Sequence, residues 1–321
     1  RELILCSVLP CPLLFDHIDQ MFLRHILLII LWAFLPACAL SQESHKDSSA
    51  AIRKYPDKVT AHTQLTFLGN SFVIRELDGG TDVVLDPVYS TKLGFTAQFR
   101  AVEIGFGLSP DFLNPDREFE DARVFNLHIR LYTGKLIQEY DYFDQKGFKA
   151  SIGDTSFFLQ DYRTIKIGGR FSYVFNEDFS FRAMQSQNEW QVRSAGSFVP
   201  RAIAYYTNYK VGLGDNGNAD SFDLGVGPGY FYNWILGDRW LLSAGNTTGI
   251  GVNFLNDGQG TDSYFLFETI FQGGIGYNGG DFFAGINASY SFIEHGAGNL
   301  SLIHISEPTR QYCQSRLPSS A

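Results

Sequence analysis

Apolar and polar residues alternate along most of the chain with a period of two. The segment from Val124 to Tyr132 reads VFNLHIRLY, in which apolar residues alternate with Asn126, His128 and Arg130. Successive side chains of a β-strand point to opposite faces of a sheet, so this period predicts strands with one apolar face and one polar face.

The pattern predicts twelve strands, organised around the hairpin Ile165–Ser186 with a connection at Asn176–Asp178, and the alternation is cleanest at Val124–Tyr132 and Phe282–Phe292. Most of the runs have about 9–14 residues, which is enough for a tilted membrane-spanning strand of about 9–11. Strands of soluble domains average about 5–6 residues. The predicted strands are residues 60–75, 89–99, 101–108, 122–132, 135–143, 165–175, 179–186, 201–211, 222–235, 240–255, 264–277 and 282–293.

The connections between these strands are of two lengths, as at the two rims of a transmembrane β-barrel. The tight ones are residues 133–135, 176–178, 237–239 and 278–281, and the longer polar ones are 109–121, 144–164, 215–220 and 256–263. If the tight turns share a rim, an even number of strands must separate the turns at 176 and 237, but the pattern gives three. A strand is therefore missing or superfluous in Gln187–Val211. The predicted fold is an all-β, antiparallel transmembrane β-barrel of about 10–12 strands.

Both ends of the chain differ from the barrel domain, which we place at residues 60–299. Residues 1–20 are interpreted as translated upstream DNA. Met21 opens a predicted signal peptide, residues 21–41, with an apolar stretch at Ile26–Phe34 that is too short to span a membrane. Lipidation of Cys38 is the alternative, and residues 42–59 are predicted to be a flexible lead-in. Residues 300–321 resemble translated sequencing adapters, so the closing C-terminal segment of the barrel is expected to be missing.

Composition agrees with an exported membrane barrel and excludes other classes. The four Cys residues, Cys6, Cys11, Cys38 and Cys313, lie outside residues 60–299, so no disulfide framework is expected. A net charge of −9 argues against a nucleic-acid partner. The predicted location is the bacterial outer membrane, with its lipid as partner. A soluble secreted β-domain that binds a ligand or partner is the alternative, because a soluble sheet has the same period with its apolar face inward.

The polar face of the strands would line the interior of the barrel. The candidate lumen-lining residues are Glu103, Asn126, His128, Arg130, Lys166, Arg170, Arg182, Asp223 and Asn287. Because both charge signs occur, the pattern is compatible with a filled structural lumen and also with a conducting pore. Aromatic residues around one tight turn, Tyr230, Tyr232, Trp234 and Trp240, are expected at the membrane interface.

Catalytic and metal-binding signals are weak. The histidines of the domain lie far apart in the sequence and lack the spacing of a zinc site, so no metal and no cofactor are predicted. Enzymatic activity is not expected. The alternative is an outer-membrane lipid-modifying enzyme with His295 at the lipid-facing rim and a nearby serine nucleophile.

One stretch carries more than periodicity. Residues 179–198, FSFRAMQSQNEWQVRSAGSF, follow Tyr173-Val-Phe-Asn176. Together they resemble the domain-of-unknown-function 4421 family of predicted outer-membrane proteins, and the QNEWQ and SAGSF segments carry the resemblance. It implies a barrel in a Gram-negative outer membrane and no established activity. The expected role is therefore structural, adhesive or small-solute passage.

Overall fold

The computed structural model describes most of the chain after residue 50. The described residues are 51–55, 59–67, 70–76, 83–88, 91–114, 122–185, 188–210, 218–237, 239–256, 258, 260–278, 282–297, 300–306 and 311–316. All of them belong to one unit, His45–Ala321. The predicted signal peptide, Cys38 and the upstream segment lie outside the described residues.

The elements are almost all strands. In chain order they are β1 (Ile52–Lys54), β2 (Thr60–Phe67), β3 (Asn70–Glu76), β4 (Val83–Pro87), β5 (Thr91–Phe99), β6 (Val102–Leu108), a 3-10 helix (Asp111–Leu113), β7 (Arg123–Thr133), β8 (Leu136–Ile152), β9 (Thr155–Tyr173), α1 (Phe181–Gln185), β10 (Glu189–Gln191), β11 (Ala195–Phe198), β12 (Arg201–Lys210), β13 (Ala219–Gly227), β14 (Gly229–Leu236), β15 (Trp240–Asn256), β16 (Thr261–Asn278), β17 (Phe282–Ala297), β18 (Leu300–Ser306) and β19 (Gln311–Arg316). No helix in this part of the chain is long and apolar enough to cross a bilayer.

Seventeen of the strands form one antiparallel sheet that curls back on itself. The pairs β2–β3, β4–β5, β11–β12, β13–β14 and β18–β19 each act as two halves of one longer strand. Counted in this way, the described residues form twelve barrel strands. β18 and β19 pair with β17 on one side and with β3 and β2 on the other, which completes the ring of backbone pairings. The fold is an all-β antiparallel barrel.

The apolar side of the sheet faces outward. In β6 the buried residues are Glu103, Gly105 and Gly107, and the exposed ones are Ile104, Phe106 and Leu108. Other exposed apolar residues include Phe95, Phe171, Leu224, Val252, Phe265 and Ile286. A soluble sheet would bury these side chains, whereas lipid is the natural solvent for them. We call this outward surface the apolar belt.

Two segments differ from their predicted structure. Residues 179–186 are not a strand, because Phe181–Gln185 forms the short helix α1. Residues 144–164 are not a loop, because β8 and β9 pair as far as Ile152 and Thr155. With α1 in place of a strand, two barrel strands, β11–β12 and β13–β14, separate the connections at 176 and 237. The parity conflict in the sequence pattern came from that one superfluous strand.

The lead-in and the tail also contain strands. Ile52–Lys54 of the predicted flexible lead-in forms β1, which pairs with β10 in a separate two-stranded sheet. The tail, set aside as adapter sequence, supplies β18 and β19. Strand geometry does not bear on the origin of a sequence, so the adapter interpretation stays a prediction.

The rims of the barrel are defined by their connections. Gly134 and Gly237 adopt positive φ values, 64° and 62°, in tight turns at the same end. We call this end the short-turn rim. Residues 109–122 and 211–218 connect strands at the opposite end, the long-loop rim. Residues 174–194 connect β9 to β11 at the short-turn rim, and their described part folds into the barrel. We call this segment the plug.

Candidate functional site

The plug buries an apolar cluster against the barrel wall. The ring of Phe181 meets the ring of Phe231, on β14, edge to face with centroids 5.4 Å apart. The cluster consists of Tyr132, Ile137, Val174, Phe179, Phe181, Met184, Val199 and Phe231. It combines plug residues with inward-facing residues of strands on both sides of the barrel. The short-turn end of the lumen is therefore occupied by packed protein.

Gln191 is the polar centre of the plug. Its side chain is 0% exposed. The Nε2 atom donates to the backbone oxygens of Asp178, at 2.6 Å, and Arg193, at 2.9 Å. The Oε1 atom accepts from the backbone N–H of Ser180, at 2.8 Å, and from Asn233 Nδ2, at 3.2 Å. A buried amide with all its groups bonded holds both ends of the plug in one conformation.

Two further contacts attach the plug to the wall and start its helix. Ser180 Oγ accepts a hydrogen bond from the backbone N–H of Ala183 at 2.9 Å, as an N-cap residue does. Asn233, buried on β14, donates to the backbone oxygen of Ser180 at 2.9 Å and accepts from Ser243 Oγ at 2.9 Å. The wall strands β14 and β15 therefore supply the polar side chains, Asn233 and Ser243, on which the plug is held.

Arg182 belongs to the plug and not to a strand, so its predicted place on the polar face of a strand is wrong. Its guanidinium lies over the ring of Tyr132, 4.2 Å from the centroid. It donates to the backbone oxygen of Arg100 at 3.0 Å and lies 3.7 Å from Glu189 Oε1. The residue thus joins α1 to two turns of the short-turn rim.

The lead-in is part of the same structure. The backbone oxygen of Ala51 accepts from Val192 N–H at 2.7 Å, next to the β1–β10 pairing. Trp190 and Ala183 pack with Leu241 of the wall and with the half-buried Tyr55. Residues before the barrel therefore help to cover the plug.

An exposed ion pair links the plug to a neighbouring turn. Lys135 Nζ lies 2.8 Å from Glu177 Oε1. The hydrogen bond from Lys135 lowers the pKa of the Glu177 carboxyl, and the same hydrogen bond raises the pKa of the Lys135 ammonium.

Above the plug, three predicted lumen residues and one residue that was not predicted form a ladder of alternating charge. Glu103, Arg130, Glu139 and Arg170 are direct register partners on β6, β7, β8 and β9. Arg130 is 9% exposed. Its Nη1 lies 2.7 Å from Glu103 Oε1, and its Nη2 lies 2.6 Å from Glu139 Oε1. Arg170 Nε lies 3.2 Å from Glu139 Oε2. Paired in this way, the charges hold adjacent strands in register.

Asp141 joins the next row of this wall. It lies 2.6 Å from His128 Nδ1 and 3.1 Å from Arg170 Nη2, and it accepts from the hydroxyl of Tyr205 at 2.7 Å. Lys166 Nζ lies 4.6 Å from the centre of the Tyr205 ring. Glu139, Asp141 and Tyr205 were not among the predicted residues, although Glu139 and Asp141 alternate with Tyr140 and Tyr142 in the sequence.

The remaining predicted residues lie elsewhere on the polar face. Asn126 is half-buried, and its Oδ1 occupies the space that a side chain at Gly107 would fill. Asn287 is half-buried on β17, where its Oδ1 occupies the corresponding space at Gly274. Glycines on this face thus make room for the polar side chains of neighbouring strands.

The opposite wall brings together Asp223 and His295. His295 Nε2 lies 3.2 Å from Asp223 Oδ1, which also accepts from Asn253 Nδ2 at 2.6 Å. Both side chains are buried. The expectation that His295 stands at a lipid-facing rim is therefore wrong, because its side chain points into the barrel.

Aromatic residues gather on the outer face at the short-turn rim. Tyr230, Trp234 and Trp240 are exposed and Tyr232 is half-buried. The rings of Tyr232 and Trp234 lie 4.7 Å apart, and Trp240 lies 4.9 Å from Tyr277. No group of three His, Cys, Asp or Glu side chains in the described residues could hold a metal ion.

Fold and interior together define a β-barrel with a folded plug at one end. A family model described as "Domain of unknown function (DUF4421)" matches residues 46–311, and the chain belongs to this family. The match begins before the lead-in strand β1 and includes the whole plug. The resemblance in the sequence is thereby confirmed, and the stretch that carried it proves to be the plug and its exit into β11.

Solved outer-membrane barrels resemble the structure at low sequence identity. An outer membrane channel from Pseudomonas putida F1 is 9% identical with a TM-score of 0.43, covering 85% of this chain and 100% of that one. The translocator domain of the autotransporter NalP from Neisseria meningitidis is 12% identical with a TM-score of 0.42, covering 92% and 98%. The β domain of the Bordetella autotransporter BrkA is 11% identical with a TM-score of 0.41, covering 81% and 100%. No curated protein matches the chain.

Proposed function

We propose that the protein is an outer-membrane β-barrel with a structural role and a lumen that the plug keeps closed. The predicted signal peptide, residues 21–41, would export it, and outer-membrane lipid would surround its apolar belt. In this role the barrel is a stable support for the segments at its long-loop rim. No enzymatic activity is part of the proposal.

One observation supports the closed lumen: buried hydrogen bonds hold the plug together and attach it to the barrel wall. Gln191 is fully buried with donors and acceptors on both its amide atoms, and Asn233 ties the plug to the wall. Opening the short-turn end breaks these hydrogen bonds and exposes Phe181 and Phe231. Each of these hydrogen bonds contributes about 0.5–1.5 kcal/mol net and burial of the two rings adds to this, so the closed state is favoured.

Planar-bilayer conductance tests the proposal. The protein is first refolded into phosphatidylcholine vesicles, where heat-modifiable gel mobility reports a folded barrel. We expect no ordered current from the folded wild-type protein. Stable current steps from the wild type would overturn the closed lumen, and a protein that stays in the aqueous fraction would favour the soluble alternative.

A plug-replacement variant provides the matched comparison. Phe175 N–H donates to the backbone oxygen of Phe198 at 3.2 Å, so the two ends of the plug are adjacent. A short turn can therefore replace residues 178–193 without stretching the wall. This variant is expected to conduct. Lys135→Gln, which leaves the plug in place, is expected to stay closed like the wild type.

Lipid hydrolysis is the runner-up and has its own measurement. The buried pair of His295 and Asp223 is where a general base would be sought. The measurement is phospholipid hydrolysis by the folded wild-type barrel and by His295→Ala. Hydrolysis by the wild type that is lost in the variant would favour an enzymatic role over the structural one.

A further inference from the structure

Four basic residues lie side by side on the outer face of four adjacent strands. Arg123 of β7 is the register partner of Lys146 of β8, Lys146 is the partner of Arg163 of β9, and Arg163 is the partner of Lys210 of β12. The side chains of Arg123, Lys146 and Arg163 are 58%, 25% and 30% exposed, and Lys210 is exposed. We call these four residues the cationic row.

The cationic row lies where the apolar belt ends. Two residues nearer the short-turn rim, the same face carries Phe125 and Ile165, and the aromatic and apolar surface continues to Tyr173. Ten residues separate Arg163 from Tyr173. A strand of that length tilted by about 40° rises about 25 Å, which is the height of the apolar band of a membrane barrel. The row therefore stands at head-group level on the long-loop side.

Acidic residues neutralise only part of the row. Asp144 makes two contacts of 2.7 Å with Arg163 and lies 3.5 Å from Arg123. Asp161 lies 3.6 Å from Lys146 and is itself 75% exposed to solvent. Among the residues that the structure describes, four cations thus face two carboxylates.

A further described carboxylate near the row is already engaged. Asp220, one row nearer the belt, accepts hydrogen bonds from Tyr206 at 2.6 Å and from Asn208 at 2.7 Å. At that level β15 and β16 present Asn256 and Thr261, which are register partners and carry no charge. Among the described residues at this level, the positive charge therefore lies on the side of the barrel formed by β7, β8, β9 and β12.

We propose that the cationic row binds lipids with phosphate-bearing head groups in the leaflet at the long-loop rim. This inference rests on the proposed outer-membrane location. Guanidinium groups bind phosphate oxygens in bidentate geometry, and ammonium groups add charge. The acyl chains of such a lipid lie against the apolar belt directly below the row. A free phosphate ion would make no contact with the apolar belt, so the geometry favours a membrane lipid.

Native mass spectrometry of the folded barrel in detergent tests the proposal with defined lipids. Phosphatidic acid presents a phosphate monoester, and phosphatidylcholine presents a phosphate screened by a quaternary amine. The wild type is expected to retain phosphatidic acid in preference to phosphatidylcholine. The double variant Lys146→Gln, Lys210→Gln is expected to bind phosphatidic acid about tenfold more weakly, since each basic residue near a head group contributes modestly.

The control is the same change of charge at the other rim. Lys54→Gln with Arg193→Gln alters two exposed residues near the plug and is expected to leave lipid retention unchanged. An excess of inorganic phosphate at matched ionic strength is expected not to displace the lipid. Displacement would overturn the proposal of a lipid ligand in favour of a free anion.

Equal retention of the two lipids, or equal loss in the control and the cationic-row variant, would also overturn the proposal. Failure of the wild type to fold in phosphatidylcholine vesicles would instead count against the outer-membrane barrel itself. The two failures are thus distinguishable.

Discussion

The plug and the β8–β9 hairpin extension differ from their sequence predictions in opposite directions. A predicted strand in the plug is a helix, and a predicted loop in the extension is a pair of strands. Residues 179–186 alternate as the predicted strands do, yet Phe181–Gln185 enters the barrel as the helix α1. Residues 144–164 contain polar residues and two glycines, yet they continue two strands beyond the apolar belt. The difference lies in partners. The extension pairs with β4 and with itself, whereas the plug lies between strands that are already paired to each other.

The comparison shows what a period of two can and cannot decide. A period of two describes which side chains share a face, and it holds equally for a strand and for a short segment with a buried side. Phe181 and Ala183 are buried in the helix just as they would be on one face of a strand. Only the number of strands that a closed ring accommodates excludes one of the two structures.

The largest effect is expected from Phe148→Ala in the hairpin extension. Phe148 is 0% exposed, and its ring meets that of Tyr162 edge to face at 4.9 Å. Removing the ring leaves a cavity that costs about 3–5 kcal/mol. Because the extension lies beyond the belt, the loss is expected as faster hydrogen exchange in residues 144–164 and in β4, which pairs with them. Phe157→Ala, at an exposed position of the same hairpin, is the control and should change little. Equal loss of protection throughout the barrel would contradict the independence of the extension.

The next largest effect is expected from Gln191→Ala in the plug. The substitution leaves the buried backbone N–H of Ser180 and the part-buried backbone oxygen of Asp178 without their partner, which costs about 2–4 kcal/mol in total. Hydrogen exchange is expected to rise in residues 174–194 and in β1, while the wall strands keep their protection. Gln138→Ala, at a half-buried position outside the plug, is the matched control. A plug that keeps its full protection without the Gln191 amide would show that apolar packing alone holds it.

A smaller effect is expected where the wall makes room for the plug. A Cβ at Gly245 would collide with the ring of Phe231, which packs on Phe181. Gly245→Ala is therefore expected to destabilise the plug by about 1–3 kcal/mol. Gly273→Ala on the neighbouring strand meets only Ser243 O, at 3.4 Å, and should be tolerated. Protease cleavage within residues 174–194 compares the two variants, and identical cleavage rates would refute this account of Gly245.

The smallest effect concerns the ion pair of Lys135 and Glu177. The folded pKa of Glu177 lies below its usual value and that of Lys135 above it. The stabilisation is therefore present between about pH 4.5 and about pH 10. It is lost as pH falls through the lowered Glu177 pKa or rises through the raised Lys135 pKa. Both groups are exposed, so plug protection is expected to change only slightly at these limits. Lys135→Gln should abolish the pH dependence, and an unchanged profile would mean that other groups cause it.

Much of the fold could be predicted from alternation and strand length. The outward place of Phe171 and Ile286 and the burial of Arg130 follow from the period, provided that the apolar face meets lipid. The plug could not be predicted in the same way, because the odd strand count was assigned to Gln187–Val211, whereas the superfluous predicted strand was residues 179–186. Gln191 and Asn233 are ordinary amides in the sequence, and their importance comes from partners 11 and 42 residues away.

The sequence by itself determined a barrel of alternating strands, its apolar outside and its family, because these depend on local period and on a recognisable segment. Tertiary structure alone decided that the recognisable segment closes the lumen, that the lead-in covers it, and that four basic residues from four strands form one row. The physical reason is that side-chain period is a property of neighbouring residues. Which strands meet, and what fills the space they enclose, depends on pairing and packing between distant parts of the chain.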